Sequence, residues 1–411
     1  MALVAGSLFL LQGVVQSGSI VWSMKSVATL LISPNQGRVQ TSRQWKRRSN
    51  EIENYFTNQV YGQIDFKPDS SSVLVEEPPT PVFGGKARRC QLELVWFHQG
   101  KEKSVRLLCY MPVGKDSVPV ILAGNNLGNH TVTDNVNIQL PESWVPNYPY
   151  LGIEHHQVTE QSRGVASDQW PIASVIDAGF GLVTFYFGDI AGDHRPAGLH
   201  SGNSFWNDTS PGGSPQHGRI AEWSWGISRI MDTLEKDSLV DRRQVFLAGE
   251  GGLGKAICRT VALDRRFAGC WIRESSDIGG TFTPSGTDSL SRQLFIQRAY
   301  WFKPSFYKQY AFDLSFPFDE LYLLTVACPV PVYFSPLYSE GQVMRYTSSV
   351  QNKFTRLYRF YEQGHRTKQK NSPADSSGIF HFRPIEQDKS PKMQWSGFLN
   401  FAKALIKHKG Y

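Results

Sequence analysis

Apolar positions recur along this chain with two periods, and the switches between them outline its elements. Trp45, Ile52, Phe56 and Val60 fall near helical spacing, which predicts a helix over residues 45–62. Segments 91–98 and 103–111 are rich in Val, Leu and aromatics and read as strands. Val118–Ala123 and Gly181–Phe187 are continuous apolar runs, the pattern of strands buried on both faces. Ala221–Leu234 carries Trp225, Ile227, Ile230, Met231 and Leu234 at helical intervals. Then come a strand (Val245–Ala248), a helix (Gly254–Leu263), strands at Phe267–Ile272, Pro331–Phe334 and Leu357–Tyr361, and a closing helix (Trp395–Lys407). Strands alternating with helices imply βαβ units, so the expected fold is a three-layer α/β domain around a mostly parallel sheet. Residues 188–220 and 366–390 are rich in Gly, Pro, Ser and Asp and read as long surface loops.

Composition narrows the class. The 411 residues hold 43 Lys and Arg against 36 Asp and Glu, a net charge of +7, with 13% aromatics and 11 Trp. So much apolar surface excludes a disordered chain. No apolar run is long enough for a spanning helix. The densest basic cluster, Lys46-Arg47-Arg48, is too short for a nucleic-acid stripe and reads as a solvated helix face. Five cysteines without a C-x-x-C pair exclude a zinc ribbon; one or two disulfides are open in an oxidising compartment. Residues 2–15, followed by Ser17, Gly18 and Ser19, resemble the apolar core and cleavage zone of a signal peptide. No Lys or Arg precedes Lys25, so a misplaced start is the other reading. The expected organisation is a leader (1–24), a linker (25–44) and one domain (45–411), secreted or periplasmic and monomeric.

One heptapeptide, Gly249–Lys255 (GEGGLGK), sits between a strand and a helix and fits three chemistries. Gly249, Gly251 and Gly254 satisfy the dinucleotide fingerprint G-x-G-x-x-G, with Glu274 about twenty residues on where a ribose-binding acid belongs. The motif lies deep in the chain, however, whereas such domains usually open with it. Gly249, Gly254 and Lys255 also spell a phosphate-binding loop, but Ala256 stands where a hydroxyl must hold magnesium. The third chemistry is the nucleophile elbow of α/β hydrolases, a sharp turn needing small residues, with an acid and then a His later in the chain. Glu274 and His365 come in that order.

The segments W-G-I-S-R-I-M-D-T-L-E (225–235), R-R-Q-V-F-L-A-G-E-G-G-L-G-K-A (242–256) and A-L-D-R-R-F-A-G-C-W-I-R-E-S-S-D-I-G-G (262–280) together resemble the core of the glucuronoyl esterases, carbohydrate esterase family fifteen. That family carries G-x-S-R-x-G-K, then D-E-R-F, then E-S-G-x-G-G. The likeness extends to P-V-I-L-A-G-N-N-L-G-N-H-T-V (119–132), G-F-G-L-V-T-F-Y-F-G-D-I (179–190), C-P-V-P-V-Y-F-S-P-L-Y-S-E (328–340), E-Q-G-H (362–365) and W-S-G-F-L-N-F-A (395–402). It covers about residues 45–408.

The resemblance implies a carboxylic ester hydrolase acting on uronic-acid esters of plant polysaccharide, without cofactor or metal. It also exposes a departure. Counting back from Gly254-Lys255, the family's nucleophilic Ser falls on Gly251 and its oxyanion-binding Arg on Gly252. Glu274 matches the acid, His365 the base and Lys255 a residue contacting sugar hydroxyls; Glu340 is a second candidate acid, placed as in some bacterial members. Glycine has no side-chain atom to attack with. Losing a triad Ser costs roughly 10⁶ in turnover, or about 8 kcal/mol of transition-state stabilisation. The reading that follows is an esterase-like protein degenerate at the nucleophile and retaining a carbohydrate-binding cleft. Against it stands an elbow shifted by one residue, in which Glu250 serves as a carboxylate nucleophile. Nucleotide binding through G-x-G-x-x-G is a more distant alternative.

Other residues carry plainer readings. Glu274 could merely partner Arg273, and His365 could be a loop His. Lys255 sits unfavourably at a helix start and calls for a specific partner. Adjacent His155 and His156 cannot readily converge on one metal. His130 is expected to anchor its loop. Trp170, Trp206 and Trp301 could stack on sugars, with packing as the default.

Overall fold

The computed structural model describes residues 31–33, 37–195, 205–206, 216–273, 295–310, 320–328, 330–335, 380–382 and 390–409. Glu274, Glu340, His365, the strand expected at 357–361 and the leader at 1–24 lie outside the described residues.

Nine strands form one sheet: β1 (Ser70–Val82), β2 (Ala87–His98), β3 (Lys101–Pro112), β4 (Val118–Asn125), β5 (Gly181–Tyr186), β6 (Val240–Glu250), β7 (Gly269–Arg273), β8 (Val332–Ser335) and β9 (Phe380–Phe382). Their order is β9-β8-β7-β6-β4-β5-β3-β2-β1. All pairings from β9 to β5 are parallel, and β5, β3, β2 and β1 join antiparallel. The mostly parallel α/β expectation therefore holds. The described α-helices are α1 (Ser42–Tyr55), α2 (Ile172–Asp177), α3 (Phe187–Ile190), α4 (Arg219–Leu234), α5 (Gly251–Leu263), α6 (Pro304–Tyr310), α7 (Glu320–Val326) and α8 (Pro391–Lys409).

Strand alternation sorts the core into two layers. Within β6, Val245 and Leu247 join a cluster with Ile227 and Met231 of α4, Ile257 of α5 and Leu323 of α7. Phe246 and Ala248 face the other way, into a cluster with Val175 of α2 and Phe398 of α8. β4 divides identically, Val120 and Leu122 on one face and Ile121 and Ala123 on the other. Helices on both faces bury β5, nearly all of β4 and the Val245–Ala248 stretch of β6, which is why these segments read as unbroken apolar runs.

Three elements depart from the expectation. β1 is absent from the sequence reading because it carries Pro78, Pro79 and Pro81, which a central strand would reject. It lies at the sheet edge, where a missing N–H is tolerated, and its register against β2 shifts around Glu77. β9 falls inside the segment read as a loop; three residues are too short to show a period. The helix expected over 45–62 is α1, with Thr41 and Gln44 forming a capping box, and it ends in a π-helical turn at Phe56–Val60. Among the described residues no helix is long and apolar enough to cross a membrane.

Candidate active site

β6 lies between β4 and β7, and α5 begins at the residue following it. This strand-to-helix turn is the expected elbow. Glu250 is extended, with φ −134° and ψ 163°. Gly251 has φ +59° and is the left-handed residue of the turn. A residue bearing a Cβ pays roughly 1–2 kcal/mol to adopt that conformation. The strained position thus falls on Gly251, in step with the register counted from Gly254-Lys255.

Beside it, any side chain at Gly252 would press into packed indole rings. A Cβ built there would lie 2.8 Å from the Cη2 and Cζ2 atoms of Trp301 and 3.3 Å from Cζ3 of Trp223. Neither ring is loose. Trp301 is 2% exposed and its Nε1 donates to Oδ1 of Asp193 at 2.6 Å. The guanidinium of Arg298 lies 5.4 Å from the Trp301 ring centroid and reaches Oδ2 of Asp193 at 3.3 Å. The Tyr300 hydroxyl also donates to Oδ1 of Asp193, at 3.0 Å. Trp223 meets Trp301 edge-on at 5.9 Å and donates to the carbonyl of Ala191 at 2.7 Å. Indole therefore fills the volume above the position that the resemblance aligns with the family's arginine.

Glu250 is engaged on both oxygens. Oε1 accepts from Nδ2 of Asn126 at 3.0 Å, and Oε2 accepts from Nε and Nη2 of Arg273. Asn126 follows β4 and Arg273 ends β7, so the carboxylate bridges the ends of the two strands flanking β6. A carboxylate held this way is tied down by an ion pair and an amide, and the residue carrying it is not the left-handed one. Arg273, raised above as a partner for Glu274, is paired with Glu250.

Lys255 is buried at 3% exposure in the second turn of α5. The described residues contain Glu250, Gly251, Gly252 and Lys255 of the expected site, the first three at the strand-to-helix turn and Lys255 one helical turn on; Glu274, His365 and Glu340 lie outside them. His130 behaves as expected of an anchor. It is fully buried, and its Nε2 lies 2.8 Å from Oγ of Ser162. That hydroxyl already donates to the carbonyl of Thr159 at 2.6 Å, so Nε2–H is the donor to Ser162 and Nδ1 is the bare nitrogen. Burial first, then the nearby Arg163, press its pKa down to about 4. His155 and His156 occupy a tight turn with φ +52° and +64°; His156 stacks on Trp144 at 4.6 Å. Among the described residues no group of His, Cys, Asp and Glu could hold a metal. Trp206 and Trp301 are core residues, and Trp170 packs on Trp395 at 5.9 Å.

Sequence reasoning missed Asn126, Asp193 and Trp223. Asn126 directly follows the parallel strand β4, where side chains gather at the carboxyl edge, and Asp193 lies just beyond α3, the short helix that follows β5; Asn126's place was the available signal. An open, polar cleft of about 860 Å³ lies apart from the turn, lined by Glu76, Glu77, Gln91, residues 136–142 and Arg163 among others.

A family model described as glucuronyl esterase, fungi, matches residues 127–351. A carbohydrate esterase of an unknown prokaryotic organism is 28% identical over 390 residues, which are 90% of this chain and 88% of that protein. The 4-O-methyl-glucuronoyl methylesterase of Podospora anserina is 26% identical over 169 residues, 38% of this chain and 34% of that one. Among solved structures, a promiscuous CE15 esterase from the marine bacterial metagenome matches with TM-score 0.72 and 27% identity, covering 91% of this chain and 95% of that chain. The glucuronoyl esterase of Solibacter usitatus matches with TM-score 0.72 and 25% identity, covering 92% and 96%.

Proposed function

The chain belongs to the glucuronyl esterase family, and on that premise we propose that it is a member whose ester chemistry has been dismantled at the strand-to-helix turn while its cleft still accepts carbohydrate. The observation that carries the reading is Gly251, left-handed at the elbow and offering only hydrogen. In the family's chemistry a serine attacks the ester carbonyl, a His takes its proton and an acid orients the His. The positions that match the base and acid are His365 and Glu274, with Glu340 as the other acid. Without a nucleophile these groups can only activate water.

Two further observations support the reading. Trp301 and Trp223 fill the space an arginine at 252 would need. Glu250, the one carboxylate on the turn, is bound by Arg273 and Asn126. The ligand proposed is a uronic-acid ester of polysaccharide or its free acid. Secretion fits such a ligand, and the apolar stretch 2–15 fits a leader. Lys255 is proposed to serve the sugar side of the cleft.

The test is hydrolysis of methyl glucuronate esters and aryl acetates, with thermal shift on glucuronoxylan fragments in parallel. Expected are no turnover by the native chain, a raised melting temperature with the fragments, and measurable ester cleavage once Gly251→Ser is introduced. Native turnover abolished by Glu250→Gln would overturn the reading in favour of a carboxylate nucleophile. A melting temperature raised by NAD or ATP instead would favour the nucleotide alternative.

A further inference from the structure

The β2–β3 hairpin turns through Gln99 and Gly100, and its unbroken register sets Cys90 directly opposite Cys109. Opposite residues of an antiparallel pair share a face, with Cα atoms about 4.5–5.5 Å apart. A disulfide accepts Cα separations of about 4.4–6.8 Å. Cys109 is buried in the core, whereas Cys90 is only half-buried at its margin. All five cysteines are described and all are thiols. The other cysteine in the sheet, Cys270, faces Leu247 and Val332.

We propose that Cys90 and Cys109 are a cross-strand redox pair that closes to a disulfide on exposure to a small-molecule disulfide oxidant. The reaction is two successive thiol–disulfide exchanges. Cys90 gives up its proton and attacks one sulfur of the oxidant, whose S–S bond breaks and whose first half leaves as a thiol with that proton. Cys109 then gives up its proton and attacks the Cys90 sulfur, expelling the second half as a thiol. Two S–H bonds of the protein are exchanged for one S–S bond, and the oxidant is reduced to two thiols.

The assignment of roles follows from the pair itself. The hydrogen bond from Cys109 holds the Cys90 thiol below its ordinary pKa, and the same bond raises that of Cys109. The half-buried, more acidic partner attacks first, and the buried partner resolves the mixed disulfide. Because the ladder already sets the two backbones, closure requires no rearrangement of the hairpin. This inference is independent of the ester chemistry proposed above.

The full chain, fully reduced, is equilibrated across a series of oxidised and reduced glutathione, quenched by alkylation and digested without reductant. Thiols titrated in denaturant are expected to fall from five to three, with one linked peptide pair containing Cys90 and Cys109. Cys90→Ser should keep its four remaining thiols throughout. Cys109→Ala, a second variant should the first misfold, should trap glutathione on Cys90. Five free thiols across the series, a bridge between other cysteines, or loss of two thiols from Cys90→Ser would each overturn the proposal.

Discussion

The benzo edge of Trp301 lies 2.8 Å from where a Cβ on Gly252 would stand. Glycine at 252 and tryptophan at 301 are thus one packing decision. Gly252→Ala is expected to cost about 1–3 kcal/mol, the range for overpacking a filled core. Trp301→Phe removes the clashing atoms along with the bond to Asp193, so the double variant should show a coupling of at least about 0.5 kcal/mol in a denaturant cycle. Strict additivity would mean that the two residues do not compete for the same space.

The same contact governs reactivation. Gly251→Ser supplies an attacking oxygen, but adding Gly252→Arg alone should lower the melting temperature and leave ester turnover no higher, because the indole holds the space. Adding Trp301→Phe to that pair should raise turnover, as a restored oxyanion donor is worth about 10²–10³ in rate. Steady-state rates on aryl acetates for the single, double and triple variants would decide this.

Glu250 and Arg273 form a partly exposed ion pair across the ends of β6 and β7, the carboxylate side chain 31% exposed and the guanidinium 19%. Solvent screening keeps the stability at stake near 1 kcal/mol. Glu250→Gln and Arg273→Ala should each destabilise by about that much, and the double variant by little more than either. Their urea midpoints, compared at low and high salt, check the assignment: added salt should narrow the gap to native.

His130 makes one acid-sensitive contribution to stability. Its folded pKa, about 4, lies below the ordinary 6.5. Above 6.5 neither state is charged and nothing is lost. As pH falls from 6.5 towards 4, the unfolded chain takes up a proton at this residue that the folded chain refuses, so His130's own contribution falls by about 3 kcal/mol, against an opposite contribution from buried Asp189, whose folded pKa of about 6 lies above its ordinary value. His130→Gln should flatten that window when unfolding free energies are measured against pH. An unchanged slope would mean that His130 is not the group responsible.

Glu222 acts in a lower window. Burial alone would raise its pKa, but Arg219 and His217 outweigh burial and hold it at about 2, below the ordinary 4.5. Oε2 accepts from Nη1 of Arg219 at 2.5 Å, and Oε1 lies 3.4 Å from Nδ1 of His217. Its contribution is complete above 4.5 and lost as pH falls towards 2, again about 3 kcal/mol. Glu222→Gln should therefore be destabilised at neutral pH and converge on the native protein near pH 2. A constant difference across that range would sink the assignment.

Much of this protein was legible along the chain. The unbroken apolar runs of β4, β5 and β6 mark strands covered on both faces, and the spacing of Ile227, Ile230, Met231 and Leu234 marks a helix lying on them. Glycines between a strand and a helix mark a tight turn, and the count back from Gly254-Lys255 lands on Gly251. These are local or periodic signals, written in residues close together in sequence. The structure alone decided what meets across distance: that Arg273 takes Glu250, that Trp301 closes over Gly252 with Asp193 holding it, and that Cys90 stands opposite Cys109. β1 belongs with these, since its prolines are acceptable only at an edge, and an edge exists only once the sheet is assembled. Periodicity reports which face of an element is buried; which side chain it is buried against depends on the path of the whole chain.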